Sequence, residues 1–157
     1  MELPTYLASR LQEVYIDGTF IANTNYKTIL SDISWKEAEY KIASLNTIAT
    51  LTFHINYYLE GLIQVFKGGD LTISDTFSFQ CKKITSENSW NERKDALVKN
   101  AEIFIGLVKD FPASKLNDAF VKEQYGSYLR NIEAVIEHSY YHLGQISLIK
   151  KMTSSGV

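Results

Sequence analysis

Only two prolines, Pro4 and Pro112, occur in these 157 residues, and both stand outside the long stretches of helical periodicity. A proline inside a helix removes a backbone donor and collides with the preceding turn, so a chain almost without proline has few enforced breaks. Strand-like alternation is scarce, and the periodic stretches read as helices. Pro4 sits where a first helical turn tolerates it, and Leu7, Leu11, Val14 and Tyr15 recur at helical spacing. They predict a first helix over 4–16, closed by Gly18. Asn23, Thr24 and Asn25 are turn formers, so 19–33 reads as loop with at most one helical turn around Ile29 and Leu30.

Ser34 and Glu37 have capping-box spacing, in which each side chain satisfies the other's backbone amide. They predict a long second helix over 34–67, stopped by Gly68 and Gly69. Ser89 and Glu92 repeat the box, and Leu97, Ala101, Phe104 and Val108 carry an apolar stripe, predicting a third helix over 89–111. A fourth is expected over 127–152, with a frayed tail from Thr153 to Val157. The stretch from Gly68 to Asn88 shows no helical period, only a short alternation at Leu71, Ile73, Phe77 and Phe79. Loops this long are uncommon inside a compact domain, and two readings stand for this one: a cover over a site, or a crossover between bundle helices. The expected fold is all-α, a single-domain four-helix bundle with a long crossover connection.

Composition sets limits on function. The 18 acidic and 16 basic side chains give a net charge of −2, without the basic stripe that binding a phosphate backbone requires, so no nucleic-acid partner is expected. The most apolar run, Ile48 to Phe66, is interrupted by His54, Asn56, Glu60 and Gln64, and no membrane span is expected. A single cysteine, Cys81, and a first decade without a basic region and apolar signal core lead to the expectation of a reducing, cytoplasmic setting.

The histidines are the most informative residues, and there are three: His54, His138 and His142. Four residues apart on a helix means roughly 40° of rotation and one turn of rise, so His138 and His142 stack on one side of the fourth helix. Gln145, Val135, Ile146 and Ile149 share that side, while Glu133, Glu137 and Lys151 project to the opposite one. On the second helix His54 falls with Leu51, Tyr58, Gly61 and Val65, while Asn56, Glu60, Gln64 and Lys67 gather on the polar side. A lone inward histidine is usually a hydrogen-bonded core residue. Three inward histidines with none left for the surface form a facial set of the kind that holds a metal ion with open positions, and a packed structural cluster stands beside that reading.

The segment from Glu137 to Ile146 resembles the last-helix signature of the DinB/YfiT-like superfamily of metalloenzymes, which has the form HxxxHxGQI, and the segment from Leu51 to Tyr58 is similar to that family's second-helix histidine region. The resemblance covers residues 4–152. It implies a four-helix bundle with a long crossover, a divalent metal ion such as zinc or nickel held by His54, His138 and His142, a homodimer, and thiol-dependent transferase or isomerase chemistry.

Other residues complete the picture. Gln145 could orient a ligand ring through a hydrogen bond, or pack as an ordinary helix amide. Tyr57, Tyr58, Tyr140 and Tyr141 crowd the two histidine helices, and Tyr58 and Tyr141 are the candidates for contacting substrate. Gly144 projects outward, where a partner helix could approach. Glu60 falls on the wrong side for a general base, Cys81 has no arrangement that would activate it, and Trp35 and Trp90 are expected to close the bundle ends. The sequence reading is a metal-dependent hydrolase or transferase acting on a small-molecule substrate. Its alternatives are a non-catalytic metal-dependent ligand-binding or stress-response protein, and a structural bundle. Free histidine pKa values place the loss of metal affinity just below pH ~6.5.

Overall fold

The structure, a computed structural model, describes residues 1–154, so Ser155 to Val157 of the expected frayed tail lie outside the described residues. There are six α-helices among the described residues: α1 (Leu3–Gln12), α2 (Tyr26–Ser31), α3 (Trp35–Glu39), α4 (Ile48–Phe66), α5 (Glu87–Lys109) and α6 (Tyr128–Ser154). Among the described residues there is no β-strand, only an isolated bridge between Ala119 and Ser127. No helix among them is long and apolar enough to cross a membrane.

The four longest helices make the bundle. α1 packs on α5 and α6, and α4 packs on the same two, so α1 and α4 stand on one diagonal and α5 and α6 on the other. Two connections therefore cross the bundle: the one from α1 to α4, which carries α2 and α3, and the one from α5 to α6. The connection between α4 and α5 joins neighbours, which rules out the crossover reading of 68–88. A continuous core from Leu7 to Ile149 fills the centre, with Trp90, Tyr15, Tyr26 and Phe104 its largest buried side chains. Trp90 donates its indole N–H to the Ile33 carbonyl at 2.7 Å, tying the α2–α3 segment to α5.

Most predicted limits hold, and the departures have local causes. α1 starts at Leu3 with Pro4 in its first turn, and it widens at its end into a π-helical turn, Glu13–Asp17, which ends at Gly18 as expected. At Gly68 and Gly69 the helix stop is a Schellman motif: Gly68 N–H donates to Val65, Gly69 N–H reaches back to Gln64, and Gly68 takes φ +86°. The predicted second helix is two helices. The Ser34–Glu37 box forms, but α3 ends at Glu39, and Ala43 takes φ 45° in the bend that follows. Thr47 then caps α4 by accepting from Thr50 N–H. Ser44, Asn46 and Thr47 compete for the backbone with their own side chains, which favours a new cap over an uninterrupted helix. The cap of α5 lies three residues ahead of prediction, because Ser86 takes that role and Ser89 is the third-position partner that closes the box, in place of Glu92. α6 starts where predicted, the Ser127 hydroxyl accepting from Arg130 N–H at 3.2 Å.

Candidate metal centre

The diagonal arrangement makes α4 and α6 neighbours, which brings His54 on α4 against His138 and His142 on α6. His54 and His142 are 4% and 5% exposed, and His138 is half-buried. Their Nε2 atoms converge. His138 Nε2 lies 3.1 Å from His54 Nε2 and 2.9 Å from His142 Nε2. Two nitrogens at ~2.0–2.1 Å from one ion are about 3.0 Å apart at a right angle and about 3.4 Å apart at the tetrahedral angle, so both of these spacings are those of ligands sharing an ion, and the three ligand atoms together lie within 4.8 Å of one another.

The outer nitrogens fix which atoms are available. His54 Nδ1 lies 3.1 Å from the Ser78 carbonyl oxygen, which can only accept, so Nδ1 carries the proton and Nε2 keeps its lone pair. His142 Nδ1 lies 2.7 Å from Gln145 Oε1, with the same consequence. Gln145 thus bonds to the ring beside it on the histidine face. Two lone pairs then point at His138 Nε2, which has one proton at most and can satisfy only one of them. A shared cation satisfies all three nitrogens, and the donor set fits a divalent ion for that reason.

All three rings are held neutral, the form that ligates. Burial pushes His138 down to about 4, with the neighbouring His142 and His54 adding to the shift. Burial also lowers His54, opposed by its bond to the Ser78 carbonyl, and lowers His142, opposed by Gln145. Each ring therefore gives up its proton at a lower pH than a free imidazole does.

The 67–86 connection is the cover that one of its two readings required. Its Ser78 carbonyl holds His54, and the Phe79 ring stacks on the His54 ring at 3.9 Å between centroids, 10° from parallel. Its seat is a groove on α4 opened by Gly61, where an added Cβ would lie 2.5 Å from Ile73 Cδ1. Tyr57 clamps the segment, its hydroxyl donating to the Ser74 carbonyl at 3.0 Å and accepting from Ser74 N–H at 2.9 Å. Next along α4, the Tyr58 hydroxyl donates to Asp75 Oδ1 at 2.7 Å, and its ring sets an edge against both His54 and His138. Burial and the adjacent carboxylate raise Tyr58, so its phenol stays protonated. A cavity of about 650 Å³ opens beside His138, with Tyr58 and Asp75 on its wall.

The structure thus gathers His54, His138, His142, Gln145 and Tyr58 in one place. Tyr141 meets His142 by a ring edge at 4.9 Å and is 64% exposed, at the rim of the site. Tyr140 turns elsewhere, to Glu13 at 2.7 Å. Glu60 pairs with Asn56 and Asn100. Asn56 departs from its predicted polar side, since Asn100 of α5 covers it and leaves it 8% exposed. Cys81 is half-buried beside Arg93, whose Nη1 also donates to the Ala49 carbonyl. Sequence reasoning did not find Asp75, Ser78 or Phe79, and the only signal pointing to them was the length of an aperiodic connection.

Fold and site together define a class: a helical bundle with a buried three-histidine cluster able to hold a metal ion between two of its helices. Comparison of the chain with family models, curated proteins and solved structures gives no significant match.

Proposed function

We propose that the chain is a metal-dependent enzyme of the hydrolase or thiol-transferase class, with a divalent ion, zinc or nickel, held by His54, His138 and His142. The observation that carries the reading is the convergence of three Nε2 atoms whose outer nitrogens are committed to Ser78 and Gln145. The similarity of the HxxxHxGQI segment to the DinB/YfiT-like superfamily supports the same reading, and we propose kinship with that family on this ground. A bound dication lowers the pKa of a coordinated water or thiol towards neutrality and polarises an electrophile.

The chain's own groups supply the rest. Gln145 and the Ser78 carbonyl keep two imidazoles in the ligating tautomer. Phe79 shields one face of His54 from water. The Asp75 carboxylate is the acceptor for a proton on the cavity side, and Tyr58 orients it through the 2.7 Å bond. This acid–base pair, on the wall of a cavity that His138 also lines, favours an enzyme over a non-catalytic ligand-binding protein.

Thermal melting with and without zinc or nickel tests the metal. An ion that binds only the folded chain stabilises it by about 2.7 kcal/mol at a hundredfold excess over Kd. The wild type is expected to gain, and His138→Ala and His142→Ala to lose the gain while remaining helical. If the variants gain as much as the wild type, the histidines are a packing cluster.

A further inference from the structure

The cavity beside the histidines has a chemistry of its own. Its volume of about 650 Å³ lies within the range of small-molecule sites. Leu62, Leu71, Ile73, Phe120 and Val135 give it apolar walls from α4, the covering loop and the α6 side. Asp75 is the one charged side chain among the described residues that line it, with no lysine or arginine. A negative charge along the body of a ligand would meet nothing to balance it there. At the end next to His138, the Tyr58 hydroxyl donates its hydrogen bond to Asp75, so the pair offers only lone pairs to the cavity. A ligand can satisfy them only with a hydrogen-bond donor.

We propose that this cavity binds a small molecule with an apolar body, no negative charge and one N–H or O–H donor end, the donor seated on the Tyr58–Asp75 pair beside His138. The inference deepens the metal reading by naming the substrate class of the same site, and it rests on that reading for the reaction but not for the binding.

Titration calorimetry of the full chain in the presence of zinc, with butanamide, hexanamide and octanamide as probes, tests it. Burial of each added methylene in apolar walls tightens binding about fourfold. N,N-dimethyloctanamide keeps the chain and carbonyl but has no N–H, and it is expected to bind at least about tenfold more weakly than octanamide. Ala134 stands on the cavity wall one helical turn before His138. Ala134→Trp puts a ring into the cavity and is expected to weaken octanamide at least about tenfold while the zinc-dependent melting gain persists. Ala134→Leu, a smaller intrusion, takes its place if the tryptophan variant does not melt cooperatively.

Absence of saturable binding, affinity independent of chain length, full affinity in the Ala134 variants, or equal binding of the dimethyl amide overturns the proposal. Octanamide binding without any zinc-dependent gain leaves this cavity standing and removes the metal reading. A zinc-dependent gain without octanamide binding does the reverse.

Discussion

Gly61→Ala separates two effects that the structure sets against each other. Gly61 lies inside α4, where alanine is normally better by about 0.5–1 kcal/mol because glycine loses more backbone freedom on folding. Helix propensity alone thus predicts a more stable protein. The alanine Cβ would stand 2.5, 2.7 and 2.8 Å from three atoms of the Ile73 side chain, whereas ordinary contacts lie at about 3.5–4.0 Å. All three atoms lie beyond the Ile73 Cβ, so turning the chain end alone does not relieve the clash, and the whole side chain must leave its rotamer or the segment must shift. Overpacking of this kind costs about 1–3 kcal/mol, which cancels or outweighs the propensity gain. The same segment carries Asp75 and Ser78, so the His54 tautomer loses its fixed acceptor. Loss of an outer partner of this kind lowers metal affinity about 10–100-fold. Denaturant melts of the metal-free protein report the stability, and zinc titration reports the affinity. The expected outcome is stability unchanged or lower by up to ~2 kcal/mol, with zinc affinity at least about tenfold weaker. Restoration of affinity in the double variant Gly61→Ala, Ile73→Ala assigns the effect to this contact. A single variant more stable by ~1 kcal/mol with unchanged affinity refutes the claim that the cover positions the site.

Three further outcomes are expected. Gln145→Leu removes the Oε1 acceptor from His142 Nδ1 at nearly constant volume, and zinc titration is expected to show a roughly 10–100-fold loss with helicity unchanged by circular dichroism. His138 is pushed down to about 4 against an unfolded value of ~6.5, so below pH ~6.5 the unfolded chain takes up protons that the folded one refuses. Stability of the metal-free protein in denaturant melts is therefore expected to fall from pH ~6.5 towards about 4, and zinc binding to persist at pH 6, where unperturbed histidines would already be mostly protonated. Trp90→Phe leaves the buried Ile33 carbonyl without its 2.7 Å donor and is expected to cost about 1–3 kcal/mol in the same melts, with zinc affinity retained.

What the sequence made legible follows from how local each signal is. Pro4, the Ser34–Glu37 box and the Gly68–Gly69 stop act within one helical turn, and the structure places each where the pattern indicated. The inward faces of His54, His138 and His142 follow from helix geometry alone, and the long neighbouring helices keep that geometry. The break at 40–47 was not legible, because an apolar period runs on through Ile42 and Leu45 and the competition from Ser44, Asn46 and Thr47 decides it. The α5 start slipped because Ser86 and Ser89 both offer a capping hydroxyl, and local spacing does not choose between them. Asn56 changed sides through Asn100, a residue 44 positions away. Asp75, Ser78 and Phe79 belong to a segment whose conformation depends on Gly61, Tyr57 and His54, so no period within the segment records it.

If His54, His138 and His142 share one ion through their Nε2 atoms, a crystal of the metal-loaded chain shows it by anomalous scattering at the zinc or nickel edge. The expected result is a single strong peak between α4 and α6, ~2.0–2.1 Å from the three Nε2 atoms, with Ser78 and Gln145 still on the outer nitrogens. A site without a peak in crystals grown with either metal, or a peak held by Nδ1 atoms or by other residues, contradicts it.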